Sequence, residues 1–284
     1  LNIKEQTMEL LNKQFFTAEY PVSYLGTGET GGKAKGLEFI HSVINKSFQK
    51  DEFPEFEISI PKMIVIRTDI FDEFMESNNL YGIAMSEASD DRIAGAFQKA
   101  DLPFSILADL RLIVTEINQP LAVRSSSLLE DAVHEPFAGI YGTKMTPNNQ
   151  PDVDTRFRKL TEAVKYVYAS TFFKSPKNYI KATKHKTENE KMAVIIQEIV
   201  GNEHGKRYYP EISGVARSYN FYPPSGAQPE DGVVNLAMGL GKTIVDGGVS
   251  WAYSPKAPQK DPPYKTVRDM LKQTQLKFWS VNLG

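Results

Sequence analysis

The stretch Leu121–Met145, LAVRSSSLLEDAVHEPFAGIYGTKM, decides how we interpret the fold. It begins with a short apolar run after Pro120, which is typical of a buried strand. Arg124 stands where we expect this strand to end, and a loop with Gly139 and Gly142 follows. A fixed cation, adjacent hydroxyls and glycine backbone can hold a polyphosphate, because arginine presents a planar fork of donors and glycine lets N–H groups approach closely.

The same stretch has a plainer interpretation. Arg124 could lie in an ordinary surface turn and pair with Glu130 or Asp131. Short motifs of this kind also occur by chance, so the two interpretations stay open on this stretch alone.

Composition narrows the class of protein. The chain has 284 residues, of which 41% are hydrophobic and 24% are charged, as in globular proteins with substantial cores. A formal net charge of -2 provides no basic footprint, so we expect no nucleic-acid partner. The absence of cysteine excludes disulfides, thiolate catalysis and cysteine-ligated metal. No apolar run approaches membrane-spanning length, and we expect a cytoplasmic protein without a membrane partner.

A second candidate phosphate site precedes this stretch. Residues 26–33, GTGETGGK, form a glycine-rich loop that leads into a helix over about residues 34–48. A helix N-terminus offers N–H groups and a positive dipole end, and Lys33 adds a full charge. The loop lacks the spacing of a Walker A motif, so a flexible loop with a solvated lysine remains the alternative.

The remaining periodicity predicts a helix-rich first part and a strand-rich second part. We predict helices near residues 3–16, 69–77, 86–99, 103–117, 153–173 and 176–184, and strands near 62–67, 192–196, 214–221, 233–238 and 249–253. Closely spaced strands with glycine turns favour an antiparallel sheet. The pattern therefore predicts an α+β fold with a helix-rich N-terminal lobe (1–190), a β-rich antiparallel C-terminal lobe (191–256), and a linker and tail (257–284).

Taken in order, these motifs resemble a known family, the nucleotide-binding domain of phosphoenolpyruvate synthase and pyruvate phosphate dikinase. The similarity rests on GGK at 31–33, AVRSS at 122–126 with ED at 130–131 and FAG at 137–139, QEIV at 197–200, SGVA at 213–216 and GLG at 239–241. It extends from about Gly31 to Pro255 and so covers most of the chain.

The resemblance implies a two-lobed, ATP-grasp-like fold with ATP held between the lobes. Lys33 and Arg124 would act in catalysis by gripping the phosphates, and the loop at 139–143 would be a lid. Residues 197–200 would form a hinge that faces the adenine, with Glu198 a candidate acceptor for its amino group. The residues implied as nucleotide contacts are Gly32, Lys33, Arg124, Ser125, Gly139, Gly142, Thr143, Gln197, Glu198, Val200, Gly241 and Lys242.

In this family ATP phosphorylates a histidine on a separate domain, which carries the phosphoryl group to pyruvate. The resemblance implies ATP and Mg²⁺ as cofactors, and phosphohistidine and pyruvate-binding domains of a parent protein as partners. A different acceptor (a glucan or an antibiotic hydroxyl) and a nucleotide-binding regulatory module without catalysis stay open. The histidines of this chain lack the expected setting and are expected to be ordinary residues: His41, His134, His185 and His204.

Two features depart from the family pattern. Family members usually have a glutamate where this chain has Lys242, which could contact phosphate or mark a changed site. The family completes its metal site with a later acidic strand, whereas the residues after Pro255 predict a proline-rich linker and a helical tail. We therefore expect metal ligands outside this chain, leave them unassigned, and expect the chain to be a piece of a longer protein. Glu130 and Asp131 would then shape their loop.

Overall fold

The structure, a computed structural model, describes residues 21–47, 54–127, 139–183, 190–223, 226–258, 264 and 266–284. The predicted helix over 3–16, the pair Glu130-Asp131, His134 and His185 lie outside the described residues. The chain divides into two compact units, Leu1–Ile199 and Val200–Gly284.

The first unit combines a mixed sheet with helices. Its strands are β1 (Val22–Leu25), β2 (Met63–Ile66), β3 (Leu121–Ser127), β4 (Thr143–Thr146) and β5 (Met192–Glu198). Their order is β1-β2-β5-β3-β4, in which β1 and β2 are parallel and the other neighbours antiparallel. Its helices are α1 (Gly32–Ser47), α2 (Thr68–Ser77), α3 (Tyr81–Met85), α4 (Asp90–Lys99), α5 (Phe104–Glu116), α6 (Val153–Ser170) and α7 (Lys174–Lys181).

The sheet separates two apolar clusters, because successive strand residues point to opposite faces. On one face Ile64 and Val123 join a large cluster that includes the buried Phe71 and Tyr168 of the helices. On the other face Val65 and Ile195 pack with Ala34 of α1. Each fully buried side chain of this size stabilises the fold by about 1.5–3 kcal/mol. The larger cluster therefore covers one face of the sheet, and α1 packs on the other face.

Strand β3 is longer than the sequence pattern predicts. The prediction of a loop after Arg124 was wrong, because Ser125–Ser127 continue the strand and pair with residues 192–194 of β5. All three serines are buried. Buried hydroxyls are tolerated when they are hydrogen-bonded, and Ser126 donates to the Thr30 carbonyl. The three serines are therefore buried residues of the sheet and do not form a loop.

Two helical predictions need adjustment. The helix predicted near 86–99 is α4, which begins only after Ser89, whose side chain accepts a hydrogen bond from the Arg92 N–H. The helix predicted over about residues 34–48 is α1, which begins two residues earlier than predicted, at Gly32, and is described to Ser47. In the described ranges, no helix is both long enough and apolar enough to cross a bilayer.

The second unit is rich in antiparallel strands. They are β6 (Asn202–His204), β7 (Arg207–Tyr209), β8 (Ser213–Arg217), β9 (Val233–Ala237), β10 (Trp251–Tyr253) and β11 (Val281–Asn282), with short helices α8 (Lys242–Val245) and α9 (Val267–Gln273). Two sheets result, in the orders β10-β9-β8 and β11-β7-β6, with every pairing antiparallel. The predicted α+β class, with a helix-rich first part and a β-rich antiparallel second part, is confirmed.

The division into units differs from the predicted lobe boundaries. Strand β5, which the sequence pattern placed in the second lobe, pairs with β2 and β3 in the first unit. The tail is not one helix, because α9 ends at Gln273 and β11 then pairs with β7. The end of the chain is thus built into a sheet of the second unit.

Candidate functional site

Lys33 lies in the first turn of α1 and contacts strand β3. Its Nζ atom donates to the backbone oxygen of Ser125 at 3.2 Å and to Ser125 Oγ at 3.1 Å. Gly32, which precedes it, is buried. The structure therefore brings two predicted phosphate-site residues, Lys33 and Ser125, into direct contact.

The start of α1 is fastened to β3 by Ser126. Ser126 Oγ donates to the Thr30 carbonyl at 2.9 Å and accepts the Ala34 N–H at 3.2 Å. Gly31 has φ +72°, and a Cβ there would lie 1.8 Å from the Ser126 carbonyl oxygen. Only glycine permits this approach.

The glycine-rich loop is anchored on the first turn of α2. Asp69 Oδ2 accepts the Thr27 N–H at 2.8 Å, and Asp69 Oδ1 accepts the Gly28 N–H at 2.9 Å. The Glu29 N–H donates to Thr68 Oγ1 at 3.0 Å. Burial raises the pKa of the Asp69 carboxyl, but the hydrogen bonds from Thr27 and Gly28 outweigh it, so the net pKa is below its ordinary value. These three amides therefore hold the loop in place instead of forming an open phosphate cradle.

Arg124 lies at the centre of a polar group on the α1 face of the sheet. It is in register with Thr143 of β4 and Ile195 of β5. Its Nη1 atom donates to Gln197 Oε1 at 3.5 Å. Arg124 and Gln197 are both partly exposed and Thr143 is exposed. The structure thus places Arg124, Thr143 and Gln197 together, on the strand that Lys33 also contacts.

The two glycines of the predicted lid have different surroundings. Gly139 is exposed, with φ +77° and open space around a notional Cβ. The Gly142 N–H donates to Ser170 Oγ at 2.9 Å, and a Cβ there would lie 2.9 Å from Tyr166 Cε1. Gly142 is therefore a packing residue against α6 in this conformation. Its role as a phosphate donor stays a prediction, as does that of Gly139.

Residues at the end of β5 carry the predicted adenine contacts. Glu198 is the last residue of the strand, and its N–H donates to the Lys62 carbonyl at 3.1 Å. Burial raises the pKa of its carboxyl, and the charge of Lys62 opposes this shift. Val200 opens the second unit and is 62% exposed. Gln197, Glu198 and Val200 remain predicted contacts.

In the second unit, Gly241 directly precedes α8 and Lys242 is its first residue. Lys242 Nζ pairs with Asp246 Oδ2 at 2.5 Å. The same ammonium group lies 5.2 Å from the centre of the Trp279 ring. Lys242 thus has two partners inside its own unit, and a phosphate contact for it stays a prediction.

Two of the four histidines are described and make local contacts. His41 Nε2 lies 3.0 Å from Asn45 Nδ2 on α1. His204 stacks on Tyr209, with ring centres 4.1 Å apart, and lies 3.7 Å from Glu211. These surroundings are those of ordinary surface histidines.

Comparison with known protein families identifies one that matches most of the chain. The family described as pyruvate phosphate dikinase, AMP/ATP-binding domain, matches residues 27–280. That range includes Lys33, Arg124, Gln197 and Lys242. The chain belongs to this family.

A curated relative points to the same group of proteins. It is the uncharacterized phosphotransferase YvkC of Bacillus subtilis (strain 168), which is 26% identical over 196 residues. The match covers 68% of this chain and 21% of the relative. The chain therefore spans about a fifth of the length of the curated relative that it matches.

A Mg²⁺ ion normally accompanies the nucleotide in phosphoryl transfer, and it requires oxygen ligands such as carboxylates. Within the ranges that the structure describes, His, Asp and Glu side chains form no group of three that could hold a metal ion. A Mg²⁺ ion beside a nucleotide needs only one or two carboxylates together with phosphate oxygens, so its ligands stay unassigned.

Ser126 and Asp69 are structurally important residues that the motif reading missed. Ser126 stands in the serine run, but only its hydrogen bonds to the backbone of Thr30 and Ala34 distinguish it from its neighbours. Asp69 lies in the first turn of α2, and its carboxylate binds a loop 41 residues earlier. Contacts between residues so distant in sequence cannot be inferred from local pattern.

Proposed function

We propose that this chain is the ATP-binding part of a phosphoenolpyruvate synthase-like phosphotransferase. In the parent protein, ATP would phosphorylate a histidine on a separate domain, which then transfers the phosphoryl group to pyruvate. Membership of an AMP/ATP-binding family supports the nucleotide. The phosphotransferase relative supports the reaction class. A cytoplasmic location belongs to the same proposal.

One observation carries the proposal: two cations of different motifs converge on strand β3. Lys33 reaches Ser125, and Arg124 is the preceding residue of that strand. Lys33 thus contacts the strand position next to Arg124, and an ammonium group and a guanidinium group together suit the several negative oxygens of a triphosphate. In the transition state they would stabilise charge on the transferred phosphoryl group and on the nucleotide that departs from it.

Two other predicted contacts lie on the same sheet face of the first unit, and the rest belong to the proposal alone. Thr143 and Gln197 share the sheet face with Arg124. Glu198 would receive the adenine amino group, for which a carboxyl that burial keeps less acidic is a suitable acceptor. Gly32, Gly139, Gly142, Val200 and Gly241 would contribute backbone groups, and Lys242 would add a third cation.

A non-catalytic nucleotide-binding module is the second candidate. Lys242 favours it, because the charge that stands where the family usually has a glutamate is already paired with Asp246. An acceptor other than pyruvate is a further alternative within the same superfamily. Incubating the parent protein with [γ-³²P]ATP and [β-³²P]ATP separates these candidates: labelled phosphohistidine supports the transferase, and the product identifies the acceptor.

The direct test on this chain is calorimetric titration with ATP, with and without Mg²⁺. We expect binding by the wild type, and a loss of at least about tenfold in affinity for Lys33→Met and for Arg124→Met, because each removes a charge-assisted contact. Lys35→Met is the matched control, since Lys35 lies on the same helix but pairs with Glu29 at 2.8 Å. Unchanged affinity in both site variants would contradict the proposal.

A further inference from the structure

Ser126 uses one buried hydroxyl to hold two backbone groups. Its side chain is fully buried on β3. The hydroxyl donates to the Thr30 carbonyl and accepts from the Ala34 N–H. A serine hydroxyl has one donor and two acceptor positions, so both kinds of capacity are used at the junction between the glycine loop and α1.

These two hydrogen bonds hold the backbone on both sides of Lys33 in the sequence. Thr30 precedes the lysine, Ala34 follows it directly, and both are held by the same side chain. Gly31 adds a third constraint, because its backbone passes so close to Ser126 that a Cβ would overlap the carbonyl oxygen. The Ala34 methyl is fully buried among apolar residues of the α1 face. The backbone that carries Lys33 therefore cannot slide along β3 without breaking these contacts.

The same contacts fix the position of the Lys33 backbone relative to Arg124. Ser126 and Arg124 are two positions apart on one strand, so they project from the same face with about 7 Å between their Cα atoms. The strand is paired on β5 along its whole length, and this spacing is rigid. A loop that moved independently would not keep a lysine at a fixed distance from Arg124.

We infer that Ser126 is a positioning residue for the phosphate grip, holding Lys33 in register with Arg124 without contacting the nucleotide. The inference rests on the proposed function, because it concerns the ATP site of that proposal. Ser126 is not one of the residues that the sequence predicts to contact the nucleotide.

The test uses Ser126→Ala and titrates it with ATP and with adenosine. Alanine removes the hydroxyl with the least change in volume, and all titrations are done at a temperature at which circular dichroism shows the variant folded. We expect ATP affinity to fall by roughly tenfold, since small misplacements of a charged group are costly. Adenosine affinity should change by less than about twofold, because adenosine has no phosphate for Lys33 to grip.

Asn78→Ala is the matched control for loss of a two-way contact. Asn78 accepts the Asp101 N–H at 3.0 Å and donates to the Asp101 carbonyl at 2.9 Å, at the end of α2. Its amide also donates to the Phe74 carbonyl at 2.9 Å, so Asn78 holds backbone groups as Ser126 does, but away from Lys33. Its affinities for ATP and adenosine should both stay at the wild-type values.

A double-mutant cycle then distinguishes positioning from general weakening. In a Lys33→Met background, Ser126→Ala should cause no further loss beyond about twofold, because the residue it positions is gone. Equal losses in both backgrounds, or unchanged ATP affinity of Ser126→Ala, would overturn the inference. If Ser126→Ala does not fold, Ser126→Cys replaces it, and equal losses for ATP and adenosine would overturn the inference there.

Failure of the proposed function is visible separately. A wild-type chain that binds no ATP overturns the proposed function before any substitution is made. A wild-type chain that binds ATP, with a Ser126→Ala variant that binds it equally well, overturns only the positioning role.

Discussion

Arg124 and Gln197 lie on adjacent antiparallel strands, and Arg124 Nη1 donates to Gln197 Oε1 at 3.5 Å. This distance is at the long limit for a hydrogen bond, so the bond is weak. An amide carries no net charge, so Gln197 does not neutralise the guanidinium group of Arg124.

The first prediction concerns the charge of this neighbour. Gln197→Glu should lower ATP affinity by roughly tenfold or more, because a carboxylate would pair with Arg124 and also repel the triphosphate. Calorimetric titration with ATP measures the change. Gln197→Ala is the control, since it removes the amide without adding charge and should cost less. Equal affinities of the Glu and Ala variants would show that Arg124 does not face the phosphates.

A second prediction compares two glycines with nearly the same backbone conformation. Gly31 and Gly139 have φ of +72° and +77°, but only at Gly31 would a Cβ meet another backbone, that of Ser126. Gly139→Ala should cost about 1–2 kcal/mol in unfolding free energy, which is the ordinary penalty of this region. Gly31→Ala should cost more, by about 1–3 kcal/mol, because the junction with β3 must separate. Urea unfolding measures both values.

Similar losses for the two alanine variants would contradict this comparison. They would mean that the loop can move away from Ser126 at little cost. The contacts of the glycine loop with Ser126 of β3 would then be too weak to fix the position of Lys33.

Much of the fold was accessible from the sequence. The apolar run 62–67 and the β-branched run 192–196 correctly predicted β2 and β5, because buried strands need continuous hydrophobic residues. Helix α6 was recognised from its amphipathic period, although it ends at Ser170, earlier than predicted. These elements are determined by local pattern.

The predictions failed where tertiary contacts override local pattern. Ser125–Ser127 look like a loop, yet pairing with β5 keeps them in a strand. Residues 202–209 are not among the predicted strands, yet they form the β6–β7 hairpin with its turn at Gly205, where φ is +62°. In the site, the motifs identified Lys33 and Arg124 separately. Only the structure shows that Lys33, on α1, contacts β3, the strand that carries Arg124.

A third prediction concerns Lys242, whose ion pair and ring contact are both partly exposed. Lys242→Met should lower the unfolding free energy by less than about 1 kcal/mol, because exposed pairs four residues apart contribute little. Lys242→Glu should cost more, since it places a second acid four residues from Asp246. Urea unfolding at low and high salt measures both. A large loss for the methionine variant would mean that Lys242 supports the fold of its unit.

The last prediction concerns pH and the anchor of the glycine loop. Asp69 has a pKa below its ordinary value of 3.8 in the folded protein, because hydrogen bonds from Thr27 and Gly28 outweigh the effect of its burial. A lowered pKa means that the carboxylate stabilises the fold above pH 3.8 and that this contribution disappears as the pH falls through the folded-state pKa. Stability from this group should therefore be constant near neutral pH and decline in acid.

Asp69→Asn tests this directly. The amide can accept at one atom only, so one loop N–H loses its partner, and we expect a loss of about 1 kcal/mol near pH 7 because Asp69 is only partly buried. The difference from wild type should shrink below pH 3.8, where the wild-type carboxyl also becomes protonated. Urea unfolding from pH 7 to pH 3 measures this convergence. Asp91→Asn, an exposed first-turn acid of α4, controls for the general effect of a carboxylate at a helix start. A difference between Asp69→Asn and wild type that stays constant with pH would show that the carboxylate charge does not hold the loop.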